Sequence, residues 1–224
     1  MIILGIDTST YFESISLASN GKLISEYHEN IKNHSPVIVN NIKNILSINN
    51  LTVHDVDVWG VSIGPGSFTG LRIGLASVLG ITLPLKTKVV GVSTLKAMSL
   101  LYNKEGYISP MIDARKGEIY TALYKKIADN LHVIIDETVV APDKWSKMLP
   151  NDNVVRVFGS GYDKYLENLD DSNNISGIEG FNLPISRGVV ELAENFSLES
   201  MDFPVEPVYI RRSEAEINFN KIIE

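Results

Sequence analysis

The run Gly64-Pro65-Gly66-Ser67-Phe68-Thr69-Gly70-Leu71-Arg72-Ile73-Gly74 constrains the fold more than any other segment. It follows Asp57 to Ile63, where Val58, Trp59, Val61 and Ile63 read as a buried strand. Gly64, Pro65 and Gly66 then break the strand in a tight turn. From Phe68 to Leu83 the chain reads as a helix, with Pro84 expected to stop it. Strand, glycine turn and helix in direct succession are a building unit of an α/β protein, with the helix laid on a sheet.

Backbone N–H groups at a strand-to-helix turn favour anions, so a phosphate loop is the first function to test. A Walker loop needs a second glycine five residues after the first, followed by lysine. Counted from Gly64 that position is Thr69, counted from Gly66 it is Leu71, and no lysine follows in either register. The glycines instead continue into the helix. Gly70, Gly74, Ser77 and Gly80 make a ridge of small residues beside Leu71, Leu75, Val78 and Leu79. A helix apolar on nearly all sides is buried on both. One side covers its own sheet, and the other is expected to meet a second element or a second chain. On this reading Gly74→Leu blocks a partner and leaves the fold intact. A second helix over residues 34–49, opened by Ser35-Pro36, is expected alongside. The partner-interface candidates are therefore Val37, Ile38, Ile42, Ile45, Gly70, Leu71, Gly74, Leu75, Ser77 and Val78. Phe68 to Leu85 is also long enough to cross a bilayer. Arg72, the internal glycines and the tight loop before it argue against that, and no membrane association is expected.

The rest of the first hundred residues reads β-β-β-α-β-α-β-α. Ile2 to Ile6 is a strand ending in the polar turn Asp7-Thr8-Ser9-Thr10. Glu13 to Ser19 alternates polar and apolar, and Asn20-Gly21 is a two-residue hairpin signal before Lys22 to His28. Lys88 to Gly91 is a short strand, and Ser93 is a helix N-cap. The second half partly repeats the first. Tyr107 to Asp113, Glu118 to Lys125, Leu131 to Asp136 and Val154 to Phe158 read as strands; 145–149, 162–168 and 186–196 read as helices. We expect a first lobe over 1–103 that carries the contact helices. A second, partly degenerate lobe follows over 104–224, its last ~20 residues returning to the first.

With 224 residues, 44% of them hydrophobic, the chain has material for a sizeable core and does not read as disordered. The net charge of −7, with scattered basic residues, argues against gripping a nucleic-acid backbone unaided. There are no cysteines, which removes disulfides, thiolate catalysis and thiolate-bound zinc. The apolar start Met1 to Ile6 is too short for a secretion signal, so a cytoplasmic location is expected.

The Gly64–Gly74 string resembles the signature of the TsaB (YeaZ) family. Asp7-Thr8-Ser9 is similar to that family's start, Asp113 to Tyr120 to its mid-chain motif, and Pro207-Val208-Tyr209-Ile210-Arg211 to its C-terminal one. The matches fall in order along nearly the whole chain, although residues 125–200 are poorly covered. The resemblance implies an α/β, two-lobed actin/Hsp70-like (ASKHA) fold, each lobe a mixed sheet with helices. It implies a non-catalytic partner of TsaD in threonylcarbamoyl transfer to N6 of adenosine 37, in tRNAs that read codons starting with A. It implies TsaE as a further partner, a homodimer when the chain is alone, tRNA contacted only through the complex, and the first two helices as the dimer face. ATP and magnesium would be used by the complex rather than by this chain.

Catalytic relatives hold a metal through two histidines on one helix, which needs spacing of three or four residues. Here His34 is followed at those spacings by Val37 and Ile38, so no metal site is expected. Asp7, Thr8, Ser9 and Asp113 fall where kinases of this fold hold magnesium and phosphate, and are candidates for a vestigial nucleotide site. The plainer reading is that both acids cap turns at strand ends. An autonomous ATPase or kinase of this fold is the alternative function.

Overall fold

The computed structural model describes residues 1–31, 37–128, 130–169, 174–196 and 205–211. The first five strands are β1 (Ile2–Asp7), β2 (Phe12–Ser19), β3 (Lys22–Asn30), β4 (Val58–Gly64) and β5 (Lys88–Ser93). They form one mixed sheet in the order β3-β2-β1-β4-β5. The next five are β6 (Gly106–Arg115), β7 (Glu118–Ile127), β8 (Asn130–Val140), β9 (Val155–Phe158) and β10 (Ile175–Ile178), and these form a second sheet in the order β10-β9-β6-β7-β8. In each sheet the first strand pairs antiparallel with the second and parallel with the fourth. The two halves thus share one topology, the internal duplication that the faint sequence repeat suggested. Asp7 ends the first strand of one half, and Asp113 lies near the end of the equivalent strand of the other.

The helices are α1 (Ile38–Ile48), α2 (Phe68–Leu85), α3 (Thr94–Leu100), α4 (Pro142–Met148), α5 (Ser160–Tyr165) and α6 (Ser186–Phe196). Asn20 and Gly21 both take positive φ, 49° and 75°, as the two-residue hairpin requires. Ser93 caps α3, its Oγ accepting from the Lys96 N–H at 3.0 Å. Two details differ from the sequence reading. Pro84 lies inside α2, which runs to Leu85 and ends at Lys86 in the left-handed region. One residue before the helix end, the missing N–H and the ring of Pro84 affect only the last turn of α2. Residues 175–178 form a strand that the sequence reading left out. The N-terminal end of the first helix, with His34 and Ser35-Pro36, lies outside the described residues.

β2 is buried on both faces despite its polar alternation. The reason is α6, which lies against β1, β2 and β4. Its Ser186 hydroxyl meets Ser16 Oγ at 2.7 Å, and its Ser186 N–H donates to Ser14 Oγ at 3.1 Å. α6 also packs on α3, and α3 reaches β6, so these two helices join the sheets around one core that includes Leu95, Met98, Val189 and Phe158. The chain is therefore back on the first sheet by residue 186. A separate core lies between that sheet and α1 and α2 and is built on Ile38, Ile42, Trp59, Leu75 and Val78. A third, around Trp145, fills the space under the second sheet.

Candidate functional site

The glycine loop and α2 close over the polar turn that ends β1. Ser67 caps α2, accepting from the Gly70 N–H at 3.2 Å, and its own N–H donates to the Ser9 carbonyl at 2.7 Å. Thr8 Oγ1 donates to the Gly70 carbonyl at 2.7 Å in a buried site. A Cβ on Gly66 would stand 2.5 Å from the Ser9 carbonyl oxygen. One on Gly70 would collide with the Thr8 carbonyl, and one on Gly74 with the Thr8 hydroxyl, both far inside the 3.0 Å that real Cβ atoms keep. Gly64, at φ 129°, lies under the Val208 carbonyl. The glycines of the signature thus let α2 and its loop sit directly on the first turn.

This corrects the sequence reading of the small-residue ridge. Gly70 and Gly74 face the chain's own Thr8 and are buried. Leu71, Leu75 and Val78 are buried as well, as are Ile38, Ile42 and Ile45 of α1. These eight candidates offer almost no surface to a partner, because an apolar stripe that repeats every three or four residues first covers its own sheet. Val37 and Ser77 keep partial exposure. At Gly80 the helix surface is open, and a Cβ there would meet nothing within 4 Å. The outer face of α2 is carried by different residues: Phe68, Arg72, Ala76 and Leu83, the last 65% exposed. On α1, Val39 and Ile48 are also exposed, the latter at 77%. Phe68, Thr69, Arg72, Ile73, Ala76 and Ser77 line a shallow depression of about 410 Å³. By length and composition α2 could cross a membrane, yet its inner side lies on β4 and β5.

At the second turn, Asp113 is enclosed by its own chain. Its Oδ2 pairs with Lys164 Nζ at 2.7 Å, and its Oδ1 accepts from Tyr165 OH at 3.0 Å and from the Arg115 N–H at 2.8 Å. Burial pushes this carboxyl up, but the hydrogen bonds from Lys164, Arg115 and Tyr165 together outweigh it and hold the group below the usual range. At the first turn Asp7 is 1% exposed, and its Oδ1 accepts from Ser9 Oγ at 2.7 Å. Asp7, Thr8 and Ser9 therefore brace a turn on which α2 rests. In this arrangement Lys164 pairs with Asp113, and α2 lies directly over Thr8. Arg115 and Lys116 sit at positive φ with Gly117 in the tight β6–β7 turn.

Two further features tie distant parts of the chain together. Glu137 of β8 accepts from Ser93 Oγ and, at 3.2 Å, from Tyr124 OH, joining the end of the first sheet to the second. Burial pushes the Glu137 carboxyl up, and these hydroxyls pull it only partly back. The second feature is the segment 205–211. Its Val208 N–H donates to the Ile63 carbonyl at 2.7 Å, the Tyr209 ring packs at a tilt on Phe68 with centroids 4.8 Å apart, and Arg211 donates to the Ala114 carbonyl at 2.7 Å and pairs with Glu118. Arg211 is thus an inter-lobe tie rather than a solvated end, while Arg212 lies outside the described residues.

The family model described as TsaD, tRNA N6-adenosine threonylcarbamoyltransferase, matches residues 23–169. The tRNA threonylcarbamoyladenosine biosynthesis protein TsaB of Bacillus subtilis is 31% identical over 184 residues, which cover 81% of this chain and 79% of that protein. The chain belongs to the TsaB family. A solved structure of YeaZ from Pseudomonas aeruginosa superposes with a TM-score of 0.81 at 24% identity, covering 93% of this chain and 99% of that one. Component A of the (R)-2-hydroxyglutaryl-CoA dehydratase of Acidaminococcus fermentans superposes with a TM-score of 0.54 at 9% identity, covering 89% of this chain and 100% of that one. These likenesses place the chain in the actin/Hsp70-like (ASKHA) fold, in agreement with the two sheets of equal topology.

Proposed function

We propose that the chain is a non-catalytic partner and activator of TsaD in tRNA threonylcarbamoyladenosine synthesis. In this role it supports transfer of the threonylcarbamoyl group to N6 of adenosine 37 in tRNAs that read codons starting with A. The names of its relatives and the TsaD family model support the pathway. The observation that carries the partner role is the outer side of α2: an 18-residue helix, already seated on its own sheet, that presents Phe68, Ala76 and Leu83 outward. Apolar area arranged in this way on a helix is the composition of a protein contact.

The catalytic work belongs to TsaD on this reading. His28, His54 and His132 stand on β3, a 3₁₀ turn and β8, three separate elements, whereas a helix-borne metal pair needs one face. Thr8 and Asp113 are engaged in bracing α2 and holding Lys164, which favours the use of ATP and magnesium by the complex and not by this chain. TsaE completes the set, tRNA meets the chain only through the complex, and the chain pairs with itself when alone. The work is cytoplasmic.

The test is reconstitution. Purified chain, tRNA and the threonylcarbamoyl donor are incubated with and without TsaD and TsaE, and the modified nucleoside is measured in digests by mass spectrometry. The chain alone should produce none, and omitting it should depress the activity of TsaD with TsaE. Transfer by the chain without TsaD overturns the reading.

A further inference from the structure

We propose that the outer face of α2 is keyed to a helix of a different protein that carries a carboxylate among apolar side chains, with Arg72 as the anchor and Tyr209 as the residue that positions it. This rests on α2 being the partner face.

Arg72 is exposed but held. Its Nε donates to Tyr209 OH at 2.9 Å, and its guanidinium carbon lies 3.9 Å from the centre of the Phe68 ring and 5.7 Å from that of Tyr209. The two rings pack against each other at a tilt of 34°, with centroids 4.8 Å apart. Tyr209 is itself fixed on both sides along the chain, by the Val208 N–H on Ile63 and by Arg211 on Ala114. A long cationic side chain thus loses its rotamer freedom before any partner arrives, which lowers the entropy cost of docking. The bond to Tyr209 uses Nε and leaves the two Nη groups for an acceptor. No carboxylate of the described residues pairs with Arg72. A planar guanidinium in an aromatic frame, beside a depression lined by Ile73 and Ala76, suits a carboxylate flanked by apolar side chains.

Charge selects the partner. Across α1 and α2 the charged residues are Lys43 and Arg72, with no Asp or Glu. A second copy that brings the same two helices supplies only cations, so self-pairing leaves Arg72 partly desolvated without a counter-charge. On a chain of net charge −7, a cation framed by aromatic rings discriminates against self and for an acid-bearing helix.

The experiment is calorimetric titration of TsaD with the wild-type chain and with Arg72→Met, Arg72→Glu and Tyr209→Phe, at low and high salt, with unfolding midpoints as the folding control. Arg72→Met should weaken binding about tenfold. Arg72→Glu should weaken it further, and Tyr209→Phe by a smaller factor, all with wild-type midpoints. Added salt should weaken the wild-type complex but not that of Arg72→Met, and light scattering should show that salt does not weaken self-association of the wild type. Wild-type affinity in Arg72→Met, or equal affinity in the Met and Glu variants, overturns this inference alone. If the wild type does not bind TsaD, the partner-face reading falls, and the inference falls with it.

Discussion

Two alanines in one helix separate the inner from the outer side of α2. Gly70→Ala puts a methyl group against the Thr8 carbonyl, a backbone atom at the end of a buried strand that cannot rotate away. The helix start must lift, which strains packing by about 1–3 kcal/mol. Lifting also breaks the 2.7 Å bond from Thr8 Oγ1 to the Gly70 carbonyl, worth about 1 kcal/mol. Against this stands the helix propensity gained on replacing glycine by alanine, about 1 kcal/mol. The net expectation is a loss of about 1–3 kcal/mol. Gly80→Ala keeps the propensity gain and meets nothing within 4 Å, so it should stabilise by up to about 1 kcal/mol. Urea unfolding followed by far-ultraviolet circular dichroism reads both, as shifts of midpoint in opposite directions at unchanged slope. A wild-type midpoint for Gly70→Ala would refute the close approach of α2 to the first turn. A destabilised Gly80→Ala would refute the open outer side.

Other perturbations test single contacts. Ser67→Ala removes the N-cap of α2 and should cost about 1 kcal/mol in the same urea assay. Glu137 has its folded-state pKa raised above the ordinary 4.5, so its contribution to stability is fully present below that value and is lost as pH rises through the raised one. Glu137→Gln should therefore flatten the pH dependence of the unfolding midpoint above pH 4.5, and an unchanged profile would contradict the buried placement of this carboxyl. Asp113 has its pKa held below 3.8, so its contribution is present above that value and lost as pH falls through the folded one. Lys164→Met should raise the Asp113 pKa as followed by carboxyl-carbon NMR and move the acid loss of stability to higher pH.

Much of the fold is legible in the sequence because its signals are local. The Asn20-Gly21 turn, the Ser93 cap and the apolar runs of β1 and β4 each act over a few residues. The shared topology of the halves is visible only faintly, since Asp7 and Asp113 lie at equivalent strand ends while their surroundings diverge. The facing of α2 is not legible. Its residues are apolar on nearly every side, so periodicity gives no single direction, and the contact that decides it is with Thr8, more than sixty residues away in the chain. Read from sequence alone, the same glycines suit a partner's helix as well as the chain's own first turn. On this geometry Gly74→Leu should disturb the lobe itself, since the new side chain would collide with the Thr8 hydroxyl. Ile38, Ile42 and Ile45 mislead in the same way, being the stripe by which α1 covers its own sheet. The Lys164 partner of Asp113 and the Ser93–Glu137 joint each link residues more than forty positions apart, and no spacing rule points to them.

The central claim is that the outer sides of α1 and α2 are where TsaD docks. Light scattering behind size exclusion, on equimolar mixtures of TsaD with the wild-type chain and with Leu83→Glu, tests it directly. Leu83 is 65% exposed, so the charge should leave the fold intact. The account predicts a particle of summed mass with the wild type and separate components with the variant. A complex of undiminished mass with Leu83→Glu would contradict it.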